Sequence, residues 1–147
     1  MSFELSIAVY GPGTDSRYRS HWGFMIHRVG DNYGELLHTQ LLDLNRLWYQ
    51  FDERSGVSLI SQQCEGRIKV ATITDEKRRL AKGVISKEPP PRDGQKRCQD
   101  WVFDVMISLE AEEIVEAGWA ERVKGMVGKS ARDVAAAAGS AWVPATE

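Results

Sequence analysis

The segment HWGFMIHRVGDNYGELLHTQL, residues His21–Leu41, settles the class of this chain. In it Trp22, Phe24 and Ile26 alternate with His21, Gly23, Met25 and His27, which is the two-residue period of a half-buried strand. VGDNYG then supplies turn residues and ELLHTQL returns as a second strand, so the segment predicts an antiparallel hairpin. The same alternation in Phe3, Leu5, Ile7 and Val9 predicts an earlier strand that GPGTDS breaks at Gly11. Weaker strand signals lie in RLWYQFDE (46–53), VSLIS (57–61) and GRIKVATI (66–73).

Beyond residue 73 the period changes. Thr74 followed by Asp75 and Glu76 reads as an N-cap with acids in the first turn, so TDEKRRLAKGVIS predicts a helix. The three prolines of KEPPPRDGQK forbid its continuation and predict an exposed, extended loop. From Cys98 onward, Cys98, Val102, Val105, Met106 and Leu109 share one side at helical spacing, with Gln99, Asp104 and Ser108 towards the other. This helix is expected to reach Ala117 and Gly118, with the acids of EAEEIVE as its solvated face. Two shorter helices are expected in WAERVKGMV and SARDVAAAAG, the latter started by Ser130 and Asp133 and stopped by Gly139. The fold class is α+β: an antiparallel sheet with the Cys98 helix packed on it and further C-terminal helices. The whole chain, 1–147, reads as one domain.

Composition narrows the function. A hydrophobic content of 42% supports a packed core, and a net charge of −2 with interleaved signs gives no footprint for nucleic acid. MSFELSIAVYG lacks a basic leader and no window approaches a membrane span, so the expected address is the cytoplasm. There the two cysteines are expected as free thiols, and their spacing offers no metal site; no cofactor is expected.

Cys98 is the residue that asks for chemistry. It follows Lys96 and Arg97 at the start of a helix, where free N–H groups and the aligned peptide dipoles favour a thiolate. A nucleophilic thiol needs a base, usually histidine, oriented by a third polar group. All three histidines lie in the predicted hairpin: His21 at a strand entrance, His38 on the neighbouring strand within reach of it, and His27 near the turn, where it reads as solvated. Tyr10, ending the first strand, is a candidate substrate contact or oxyanion donor, and Trp22 and Trp101 are candidates to wall the cleft. Each of these aromatic residues reads equally as core, and Cys98 reads equally as a half-buried thiol. Cys64, in SQQCEG, has no base near it in sequence and reads as inert.

HWGFMIHRVGDNYGELLHT resembles the strand–turn–strand segment of the circularly permuted papain-like enzymes, in particular the lecithin retinol acyltransferase and NlpC-type group. RCQDWVFDVM is similar to that group's later Asn-Cys-Glu-His-Phe-Val helix start, with Arg97 in place of the asparagine. Both segments also resemble those of fungal biosynthetic and uncharacterised proteins. The resemblance implies a permuted papain-like fold with Cys98 as nucleophile, His21 as general base and His38 as orienting group. It further implies a cysteine-dependent hydrolase or acyl or amide transferase acting on a small or peptide-like substrate. A non-hydrolytic isomerase or cyclase, or a small-molecule binding module on the same fold, is the alternative.

Overall fold

The computed structural model describes residues 1–145. Six antiparallel strands form one sheet: β1 (Ser2–Tyr10), β2 (His21–Arg28), β3 (Tyr33–Asp43), β4 (Trp48–Ser58), β5 (Cys64–Thr74) and β6 (Trp142–Pro144), in the order β4-β3-β2-β1-β5-β6. Four helices accompany it: α1 (Asp75–Lys87), α2 (Cys98–Ala111), α3 (Trp119–Lys124) and α4 (Ala131–Ala138). The α+β class is therefore as the sequence indicates. RLWYQFDE and VSLIS, read as two strand signals, contribute to a single strand β4.

Alternation decides which face of the sheet is covered. Leu5, Ile7 and Val9 of β1, Trp22, Phe24 and Ile26 of β2, Leu37 of β3 and Ile68 of β5 join Val102, Val105, Met106 and Leu109 of α2 in one buried cluster. The opposite face carries a smaller cluster of Ala8, Met25, Leu36 and Leu59. His21, Gly23, Met25 and His27 belong by alternation to this second face. His27, read as a solvated turn residue, is buried: its Nε2 lies 3.7 Å from Glu4, itself paired with Arg67 at 2.7 Å.

Local chemistry sets the helix ends. Thr74 Oγ1 accepts the Lys77 N–H at 3.2 Å and starts α1 as expected. Ser130 Oγ likewise accepts the Asp133 N–H and starts α4. α2 stops at Ala111, well short of Ala117, so the acids beyond it are not a helix face. No basic residue offsets the dipole in its last turn, and Glu113 adopts a left-handed φ of 58°. The N–H groups of Ile114 and Glu113 then bond the carbonyls of Leu109 and Glu110, a Schellman closure without its usual glycine. Glu110 turns back to accept the N–H groups of Gly118 and Ala120 ahead of and within α3.

The proline loop is pinned rather than free. Pro91 is buried and its carbonyl accepts the Tyr49 N–H at 3.0 Å, Arg92 donates to the Tyr49 carbonyl, and Trp101 Nε1 donates to the Glu88 carbonyl. These bonds aim the loop's end, and hence Cys98, at the start of β2.

Gly23 is a steric requirement of the same region. A Cβ there would lie 2.8 Å from His38 Cβ and 3.1 Å from Leu36 Cδ1. Gly23→Ala is expected to destabilise the protein by about 1–3 kcal/mol through overpacking. Denaturant unfolding should show a lowered midpoint at unchanged slope, although alanine elsewhere in a strand is ordinarily the better residue.

Candidate active site

Register assembles the polar groups of the second face. Tyr10 pairs with His21 across β1 and β2, His38 pairs with Asp52 across β3 and β4, and Gly23 leaves room beside the His38 side chain. The His38 ring therefore reaches His21 on the diagonal, with His21 Nε2 2.7 Å from His38 Nδ1. His38 Nε2 lies 2.9 Å from Asp52 Oδ2, which Arg54 also holds at 2.8 Å. The result is a chain of hydrogen bonds, His21–His38–Asp52.

Asp52 fixes every tautomer in that chain. Its hydrogen bond from His38, aided by Arg54, holds the carboxyl below its usual pKa against a smaller opposing effect of burial, so it is ionised and only accepts. His38 must then carry its proton on Nε2, leaving Nδ1 to accept from His21 Nε2–H. The unshared lone pair of His21 is thereby at Nδ1. Burial, with the neighbouring His38 disfavouring a second positive charge beside it, depresses the His21 pKa to about 4, so this ring is a neutral base at pH 7.

Cys98 arrives from the other side of the sheet, at the head of α2. Its sulfur lies 4.0 Å from the Ser20 carbonyl, next in sequence to His21. The backbone N–H groups of Trp22 and Gln99 favour its thiolate, but burial outweighs them and raises the thiol pKa. The expectation of a resting thiolate at the helix start is thus corrected: a desolvated charge is penalised more than two N–H groups and a dipole repay. No hydrogen bond joins Cys98 to His21 among the described residues; the thiol meets the main chain on either side of it.

Gln99 secures this contact. Fully buried, it donates from Nε2 to the Ser20 carbonyl at 2.9 Å and accepts the Gly128 N–H at 2.8 Å. The sequence reading had placed it towards the polar side of α2. Tyr49 was also missed. Its hydroxyl sits beside the Cys98 thiol and backbone N–H, and burial, with the Cys98 charge adding, pushes its pKa up to about 12.

Tyr10 lies on the His21 side, ring centroids 6.0 Å apart, and both line a cavity of about 450 Å³ with Arg19. Trp22 and Trp101, candidates for cleft walls, are instead core residues at 0% and 1% exposure, in contact with α2 and the sheet; the indole N–H of Trp22 has no partner. Cys64, at the start of β5, is half-buried and burial raises its pKa. No group of acidic, histidine and cysteine side chains among the described residues is arranged to hold a metal ion. No helix among the described residues is long and apolar enough to cross a membrane.

The depressed His21 pKa has a stability consequence. The unfolded chain takes up a proton near pH 6.5 and the folded site only near pH 4, so stability contributed by neutral His21 is full above pH 6.5 and falls as pH drops towards 4. Urea midpoints measured at pH 7.5, 5.5 and 4.5 should fall less in His21→Gln than in the parent. A His21 proton resonance titrating near 6.5 would contradict this environment.

The comparisons with known proteins give one result. A family described as being of unknown function (DUF6540) matches residues 6–116, about three-quarters of the chain, from β1 through α2 and its closing turn. His21, His38, Asp52 and Cys98 all fall inside the match. No curated protein and no solved structure gives a significant match. The chain belongs to this family of unknown function.

Proposed function

We propose that the protein is a cysteine-dependent hydrolase or acyl or amide transferase of permuted papain-like architecture, acting on a small or peptide-like substrate. The observation that carries this reading is the His21–His38–Asp52 chain, at 2.7 and 2.9 Å, ending at the strand start where Cys98 is seated. A relay that leaves one neutral histidine with a free lone pair is the arrangement a thiol needs in order to lose its proton.

Because burial raises the Cys98 pKa and lowers that of His21, the pair rests neutral. Attack then requires the thiol proton to pass to His21 Nδ1 as the sulfur–carbon bond forms. The resulting imidazolium keeps its Nε2–H bond to His38, whose own Nε2 proton stays on the ring and is donated to Asp52. The Cys98 backbone N–H, at the head of α2, helps hold the oxyanion. Tyr49, protonated at pH 7 and lying against that group, supplies a second donor at the same point. The departing amine or alcohol takes the proton back from His21, and water or a second nucleophile releases the acyl group from sulfur. Nothing in this chemistry requires a cofactor.

The test is acyl capture. Incubated with an activated ester such as p-nitrophenyl octanoate, the protein should gain one acyl mass, mapped by peptide mass spectrometry to Cys98. His21→Ala should slow this by about 10²–10⁴-fold, the usual worth of a general base. Iodoacetamide should label Cys98 with an apparent pKa above the ~8.5 of a free thiol. Acylation elsewhere, or at an unchanged rate without His21, would refute the reading. The buried, neutral thiol favours one other function: a non-hydrolytic isomerase or cyclase, or a binding module, in which Cys98→Ala keeps full activity or ligand affinity.

A further inference from the structure

A second cavity, of about 210 Å³, ends at Cys98 itself. It lies on the side of α2 and Tyr49, and Arg19 lines both it and the cavity beside Tyr10 and His21. Its walls combine two features that the fold does not need. The first is apolar: Leu41, Leu44 and Leu47, from the end of β3 and the turn into β4, line it, and Leu41 and Leu44 are exposed at 42% and 68%. Two large aliphatic side chains left in water around one cavity that ends at a thiol indicate a surface kept for a ligand. Leu47 in addition holds a left-handed φ of 54°, uncommon for leucine.

The second feature is charge. Arg17, Arg19 and Arg97 also line this cavity. Arg17 is committed to Asp15 at 3.0 Å, and Arg19 stands 3.8 Å from Asp100. Arg97 is half-buried and makes no ion pair with any described residue; its guanidinium has only a 3.4 Å contact to the Arg17 carbonyl. A half-buried arginine that makes no ion pair with any described residue, one residue from the thiol, is free to receive an anion. With its two neighbours already committed, it matches a singly charged carboxylate, which a guanidinium receives through two parallel hydrogen bonds.

Resting on the thiol chemistry proposed above, we infer that the substrate is an N-acyl amino acid: an apolar acyl group against Leu41, Leu44 and Leu47, and a carboxylate on the departing side read by Arg97. The volume suits a medium-length chain, since it equals the space of about seven water molecules at ~30 Å³ each. In the reaction the Cys98 sulfur bonds to the acyl carbon, the C–N bond breaks, and the amino acid leaves with the proton held on His21. Water then cleaves the thioester to a free fatty acid and restores the thiol.

Binding and turnover separate this inference from the chemistry it rests on. Cys98→Ala protein is titrated by calorimetry with N-octanoylglycine and with N-octanoylglycinamide, which lacks the charge. The acid should bind about tenfold or more tightly than the amide, as expected for a hydrogen-bonded charge. Arg97→Gln should abolish that ratio, whereas Leu44→Ser, at an exposed position that does not endanger the fold, should weaken both ligands severalfold and preserve it. Equal affinity for acid and amide, or binding of neither, overturns the substrate assignment. Charge-selective binding without release of glycine by the parent protein upholds the assignment and overturns the thiol chemistry instead.

Discussion

The buried amide of Gln99 is the constraint on which the arrangement depends. One side chain spans the Ser20 carbonyl before β2 and the Gly128 N–H before α4, so three segments distant in sequence meet at the N-terminus of α2. The Ser20 carbonyl belongs to a buried residue, where an unmet acceptor costs about 1–3 kcal/mol, and the N–H of the exposed Gly128 fixes the other end of the amide. The bond is therefore hard to trade for another. Cys98, one residue earlier, meets the same oxygen: its sulfur lies 4.0 Å from the Ser20 carbonyl that Gln99 holds.

The polar chain on the other side of β2 has a different logic. His38 is buried, while Asp52 and His21 at the two ends of the chain are half-buried, so the carboxylate keeps contact with water and the ring beyond His38 borders the cavity beside Tyr10. Charge sits where water can stabilise it, and only neutral rings enter the interior. A carboxylate placed directly beside His21 would raise its pKa and lose the neutral base; interposing His38 transmits orientation while keeping the formal charge one ring away.

The hairpin His21–Leu41 was legible because alternation there is strict, and the row of histidines follows from the same alternation plus one diagonal step between strands. The start of α2 was legible from the prolines before it and the helical spacing after it. Its end was not, because the sequence offers Glu113 where a left-handed stop normally shows glycine. Strand β6 was missed because three residues carry no period, and its existence depends on pairing with β5. Gln99 and Tyr49 escaped for a related reason: a buried amide and a strand-edge phenol look like ordinary surface residues until their partners arrive from elsewhere in the chain. The thiol pKa was misjudged because dipole and neighbouring charge can be read locally, whereas burial is a property of the assembled fold.

Asp52 also lies on β4, which borders the sheet and has no strand beyond it among the described residues. The proline loop covers this border only at Tyr49, and further along Asp52, Glu53 and Arg54 stand in succession on the open backbone. Charged side chains on an unpaired strand are what keep two such molecules from joining edge to edge. The carboxylate that orders the histidines is thus also one of the charges that oppose edge-to-edge pairing through β4, and neutralising it would change colloidal behaviour together with the imidazole tautomers.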